Sequence, residues 1–203
     1  MSRARLHNAL RSHEAADPAV VPLIEAHAAR LEQLAGDRWP GDAEAQARML
    51  RSVQALYGLD AVTVGAGGLP AERVEIARDV IRRLRPVLGE RAGIAVVIAA
   101  AAGESSAEIV RALGSEEPDA FMLLGDEPID PTLESLAEFF GAALLPVGRG
   151  APAGLVALAP DDFLVADPFP GGWLYTTTAE IDAAADPHAV RSAIARLRRR
   201  HGA

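Results

Sequence analysis

Ionisable residues recur where apolar runs of this chain end: Glu25, His27, Asp126, Glu127, Arg149, Asp167 and Glu180 all lie close to such a boundary. Carboxylates gathered in one mouth do general acid–base work, because burial and mutual repulsion raise one pKa towards neutrality. With His27 they also form an oxygen-rich, single-nitrogen set that suits a hard divalent metal, although no metal ligands are assigned. Asp126 and Glu127 directly follow the apolar run at 121–124 and are the catalytic acid–base candidates. A turn and the cap of a helix opening at Pro131 is the plainer reading of the same pair. Asp167 precedes Pro168 and equally fits a turn, while His27, flanked by alanines on a predicted helix, equally fits a structural role.

The loops Gly65-Ala66-Gly67-Gly68 and Gly148-Arg149-Gly150 would let backbone N–H groups approach a phosphate or carboxylate, with Arg149 supplying charge. Gly65, Gly67 and Gly68 therefore join the substrate-binding candidates, as does Thr177 within the run Thr176-Thr177-Thr178. The first loop is not a dinucleotide fingerprint, because Pro70 holds the position of the last glycine in G-x-G-x-x-G. Tight turns, and threonine's preference for strands, are the competing readings. The sequence contains no Walker motif, no G-x-S-x-G and no H-E-x-x-H.

To bring these residues together, the elements must alternate. A strand over 20–24 runs into a helix over 25–31. Asp42 caps a helix that continues to Leu56 and stops at Gly58. A strand over 61–64 ends in the glycine loop, and Pro70 opens a helix with Val74, Ala77, Ile81, Leu84 and Leu88 on one face. Strands follow over 94–98, 120–124 and 143–147, with helices over 104–113 and 131–140 between them. Runs at 155–158 and 163–165, four residues apart, predict a hairpin. A strand over 173–177 and a helix over 187–200 close the chain. This pattern predicts one α/β domain over 1–203: a compact or incomplete (β/α)8 TIM-barrel-like fold with mostly parallel strands, since a full barrel typically takes about 250 residues. Parallel strands carry their trailing loops to a common rim.

Composition narrows the partners. Half of the 203 residues are hydrophobic but only 4% are aromatic, so the core is built from Ala, Val, Leu and Ile. No apolar run reaches the roughly 18–20 residues that cross a bilayer, and the charged N-terminus has no signal-like apolar stretch. No membrane partner is expected, and the location is expected to be cytoplasmic. A net charge of −8 lacks the footprint of a nucleic-acid binder. The absence of cysteine rules out disulfides, thiolate-bound zinc and a cysteine nucleophile.

Several segments resemble the uroporphyrinogen decarboxylase and corrinoid-dependent methyltransferase superfamily. VVPLIEAHAARLEQLAG is similar to its first strand and substrate-facing segment, and YGLDAVTVG to its second strand. The stretch 94–124 looks like a later strand–loop–helix–strand unit, and PGGWLYTTTAEI with DPHAVRSAIARL like the closing strand and helix. A central portion of the usual barrel is absent between Gly68 and Ile94. By this resemblance Arg30 matches the second of the family's paired arginines and becomes an anion anchor, while Ala26 stands where the first would be. The zinc pair's strand end reads Ala99-Ala100-Ala101-Ala102, and Ala179 lies near the distant cysteine's place. Alanine can neither ionise nor coordinate.

The resemblance implies a protein that binds a small anionic or cofactor-like molecule, and a lyase or one-carbon (methyl) transferase working without thiolate-bound zinc. No cofactor is assigned. The alternative is a non-catalytic accessory or binding subunit. An incomplete barrel leaves strand edges that a second copy of the chain, as a homodimer, or a partner subunit would cover.

Overall fold

Among the described residues the apolar runs form strands that pair only in parallel: β1 (Ala19–Val20), β2 (Ala61–Val64), β3 (Gly93–Ala99), β4 (Ala120–Leu124), β5 (Ala143–Val147), β6 (Leu155–Leu158) and β7 (Leu174–Thr177). The computed structural model describes residues 2–13, 18–34, 36–99, 104–126, 128–148, 150–166 and 171–199. Helices alternate with the strands: α1 (Ser2–Ser12), α2 (Glu25–Leu31), α3 (Ala43–Tyr57), α4 (Val74–Leu88), α5 (Glu104–Gly114), α6 (Pro131–Phe139), α7 (Pro160–Val165) and α8 (Pro187–Arg199). The ladders make two sheets, ordered β1-β7-β6 and β2-β3-β4-β5. Together they form an incomplete, TIM-barrel-like α/β fold.

The two sheets meet along the β1/β2 seam, where side chains replace a regular ladder. The Val20 N–H donates to Asp60 Oδ2 at 2.9 Å, the Asp60 N–H returns to the Val20 carbonyl at 3.3 Å, and Thr63 Oγ1 donates to the Pro22 carbonyl at 3.4 Å. The predicted strand over 20–24 is cut to a two-residue ladder because Pro22 has no N–H to give. Beyond it the Leu23 N–H finds Thr177 Oγ1 at 3.1 Å, and Thr176 Oγ1 donates to the Val21 carbonyl at 2.7 Å. On the far side, β5 and β6 form no ladder among the described residues.

Alternation along the strands sorts the core into two layers. Outward residues such as Val62, Val96, Ile98 and Phe121 pack with the helices, while Val21, Ala61, Ala95, Val97, Ala120 and Met122 form the inner cluster. Helix α1 enters that inner cluster through Leu6 and Ala9, at the strand N-terminal end. A Cβ on Gly93 would crowd Leu6 Cδ2 and lie 3.1 Å from Asp119 Oδ2, so the glycine lets the plug seat without the Leu6 side chain shifting. Around the plug, buried Asp119 accepts from Arg3 Nε at 2.9 Å, from Arg85 Nη1 at 3.1 Å and from the Ile94 N–H at 2.8 Å, and His7 Nε2 lies 2.7 Å away. Arg5 reaches buried Asp60 at 2.8 Å.

The predicted hairpin does not form. Residues 163–165 belong to α7, and β6 pairs in parallel with β7. Pro160 at the first helical position, with Asp161 and Asp162 in the first turn, favours a helix start, and buried Phe163 gives that helix its anchor in the core. No helix among the described residues is long and apolar enough to cross a membrane.

Burial alone would raise the Asp119 pKa, but the His7 hydrogen bond, the Ile94 N–H, Arg85 and Arg3 outweigh it and hold the carboxyl below its ordinary 3.8. The stability this gives is complete above the unfolded value and is lost as pH falls through the lower folded value. Asp119→Ala should therefore cost roughly 2–3 kcal/mol at pH 7 in urea unfolding, a figure held down because its side-chain partners are partly exposed and can turn to water. The gap between wild type and variant should narrow on acidification below about pH 4.

Candidate functional site

At the strand C-terminal ends, Glu25 opens α2 directly after β1 and turns its carboxylate inward, leaving the residue only 6% exposed. Its Oε1 accepts the Gly65 N–H at 2.9 Å and its Oε2 the Ala66 N–H at 3.0 Å, tying the top of β1 to the turn after β2. Part-buried Glu180, three residues past β7, accepts the Ala26 N–H at 2.7 Å, and the neighbouring Ile181 N–H donates to the Leu23 carbonyl at 2.8 Å. The ends of β7, β1 and β2 thus converge on two carboxyl groups.

The turn after β2 shapes the rest. The Gly68 N–H closes on the Gly65 carbonyl at 2.7 Å and the Leu69 N–H reaches the Val97 carbonyl at 2.8 Å. Gly68 has φ +92°, and a Cβ there would lie 2.9 Å from the Ala99 Cβ. Past Pro70, a 3-10 turn over Ala71–Arg73 carries Arg73 over the same space before α4 begins. The opposite wall is Trp39 and Pro40, whose carbonyls the buried Gln46 amide holds at 3.3 and 2.8 Å. Glu25, Glu180, Arg73, Trp39 and the 67–70 turn enclose a cavity of about 320 Å³.

Burial pushes the Glu25 carboxyl up from 4.5 to about 7. The Gly65 and Ala66 N–H groups and the Arg73 charge pull it back, and the Glu180 charge adds to the rise. Burial also raises Glu180, against the Ala26 and Glu25 N–H groups. With its carboxyl raised to about 7 and the Glu180 charge adding to the rise, Glu25 changes its protonation state around neutral pH. A group that is protonated near pH 7 and faces a cavity can act as acid or as base with little change in its surroundings.

The structure brings five predicted residues into one cavity: Glu25, Gly65, Gly67, Gly68 and Glu180. The N–H groups of Gly65 and Ala66 meet a carboxylate, but it belongs to the protein. Other candidates lie elsewhere. His27 is fully buried, points away from the cavity, and pairs through Nε2 with the Tyr57 hydroxyl at 2.8 Å; burial lowers its pKa. Arg30 is exposed and donates to the Ala183 carbonyl at 3.2 Å, outside the cavity wall. Thr177 is buried, with its hydroxyl engaged by the Leu23 N–H. Asp126 is exposed at the end of β4, beside Gly148 and away from Glu25's cavity. Glu127, Arg149 and Asp167 lie outside the described residues.

Arg73, Trp39 and Gln46 were not predicted. Arg73 follows the glycine turn after β2, so the tendency of trailing loops to reach the rim is the signal that finds it, although Pro70 marks the segment as a helix opening. A zinc centre does not fit these residues. The chain has no cysteine, and no three His, Asp or Glu side chains gather as a metal site among the described residues.

Fold and cavity define a parallel α/β barrel-like protein with a carboxyl-lined site at the strand C-terminal ends. The chain matches a solved methyltransferase from Methanosarcina mazei with a TM-score of 0.65 and 11% identity, over 100% of this chain and 99% of that one. The shortened barrel, with only one crossover between Gly68 and Ile94, is therefore matched by a protein of equal extent. At this identity the likeness is one of fold. A Labrenzia alexandrii DFL-11 structure of the mandelate racemase/muconate lactonizing type matches at a TM-score of 0.44 and 15% identity, over 78% of this chain and 39% of that one, and carries no weight. No family model and no curated protein matches the sequence.

Glu25→Gln isolates the buried carboxyl in solution. Because the folded pKa lies above the unfolded 4.5, the native state holds the extra proton, and Glu25 costs stability progressively as pH rises from about 4.5 to 7. The melting temperature of the variant, followed from pH 4 to 8, should fall less steeply over that window than that of the wild type. Parallel curves would show that the Glu25 carboxyl ionises like one in water.

Proposed function

We propose that the chain is a one-carbon transferase acting on a small molecule in the Glu25–Glu180 cavity. The observation that carries this reading is Glu25 itself: 94% removed from water, beside a second carboxyl, and poised near neutrality at a cavity wall. The methyltransferase that shares the fold along its whole length makes methyl transfer the first reaction class to test.

In such a reaction the acceptor's lone pair attacks the methyl carbon while the bond from that carbon to the donor heteroatom breaks. The donor heteroatom keeps the electron pair. Protonated Glu25 can deliver its proton to that atom, and the charge left on the carboxylate is then held by the Gly65 and Ala66 N–H groups and by Arg73. Glu180, anchored on the Ala26 N–H, is placed to take the proton that the acceptor loses. Acid–base assistance of this kind contributes roughly 10²–10⁴-fold to a rate.

A thermal-shift screen with methyl-folates, corrinoids and porphyrins finds the ligand class, and mass spectrometry of acceptors incubated with an N-methyl or O-methyl donor reads the added methyl group. Glu25→Gln should lower turnover by about 100-fold or more, with a smaller effect on ligand-induced stabilisation. If Glu25→Gln and Glu180→Gln both leave turnover and ligand response unchanged, the assignment of this cavity is wrong.

A further inference from the structure

Building on that cavity as the site, we propose that its ligand is a small zwitterion, carrying an ammonium and a carboxylate on one molecule in the manner of an α-amino acid. The charged residues lining the space are of both signs and come from different elements. Glu25 and Glu180 come from the ends of β1 and β7, and their oxygens are fixed by the Gly65, Ala66 and Ala26 N–H groups. Arg73 comes from the turn before α4. It acts on Glu25 through its charge, but makes no ion pair or hydrogen bond to it or to any other carboxylate among the described residues.

Each simpler ligand leaves one wall in deficit. A plain anion placed on Arg73 also faces two carboxyl groups with no positive charge of its own to offer them. A plain cation placed on the carboxyls leaves the Arg73 guanidinium unmatched across the same small space. A zwitterion meets both, with its carboxylate on Arg73 and its ammonium on the Glu25–Glu180 pair. Trp39 supplies an apolar ring against which an ammonium or the remaining side chain can lie. A cavity of about 320 Å³ suits a molecule of amino-acid size and is at the small end of ligand sites.

The test uses the full chain in thermal shift and calorimetry, with the common α-amino acids and their N-methyl derivatives as probes. The same skeletons lacking either the amine or the carboxylate serve as comparisons. At least one zwitterion should raise the melting temperature, and both of its single-charge halves should fail. Arg73→Ala, a change at an exposed position, should weaken binding roughly tenfold or more, and Arg73→Lys should recover part of it. A carboxylic acid or an amine that binds as well as the zwitterion would overturn the zwitterion and leave the cavity's role in transfer standing. No shift from any amino acid, alongside a shift from a corrinoid or folate, has the same meaning. Silence from every probe, together with unchanged behaviour of Glu25→Gln, would overturn both.

Discussion

The fold is organised around the seam between β1 and β2, where two parallel strands lie side by side without a ladder. Backbone donors there need acceptors, since an unpaired buried N–H costs about as much as a lost hydrogen bond. The chain supplies them with carboxylates: Asp60 at the N-terminal end of β2 takes the Val20 N–H, and Glu25 at the C-terminal end of β1 takes those of Gly65 and Ala66. Both carboxyls are buried, and burial raises both pKa values. What joins the sheets is therefore also what places an unusually basic carboxyl at the mouth. Structure and reactivity rest on one side chain.

The two ends of the molecule use acidic residues in opposite ways. At the N-terminal face, buried Asp60 and Asp119 meet cations, Arg3 and Arg5 on α1 together with Arg85 and Arg198, and His7 hydrogen-bonds to Asp119. At the C-terminal face, two carboxyls share a cavity with Arg73, which makes no ion pair with either among the described residues. Matched charge holds a fold together, and unmatched charge beside open space is the arrangement that a ligand completes. The division follows the rule that stability gathers at the bottom of a parallel barrel and chemistry at the top.

Much of the frame was legible because local signals and global pattern agree. Asp42 caps α3 through the Glu44 and Ala45 N–H groups, and Gly58 ends it in a left-handed conformation with φ +65°, as their positions predict. Val74, Ala77, Ile81, Leu84 and Leu88 form the buried or part-buried face of α4. The misses have physical causes. Helix α1 has a charged sequence with few apolar residues, and its role as a plug depends on Asp60 and Asp119, far away in the chain. Helix α7 is six residues long, too short for periodicity to show, and only its proline and aspartates mark it. His27 and Thr177 sit at the correct end of their strands but turn towards the protein. A sequence gives the level of a residue along a barrel more readily than the direction of its side chain.

The sparse aromatic content and the wealth of alanine follow from strand number. A barrel's width grows with its strands, so the seven strands among the described residues enclose less space than eight would. Ala95 on β3 lies opposite Ala120 on β4, which lies opposite Ala143 on β5, a row of methyl groups across adjacent strands. With Ala61 and with Leu6 of α1, these small side chains fill the interior from below. The cavity that holds Glu25 and Glu180 lies to one side, above β7, β1 and β2, with Trp39 and the Arg73 turn among its walls. The cavity takes no residue from β4 or β5, which explains why Asp126, at the end of the most apolar strand, is not among its walls although the sequence places it on the same rim.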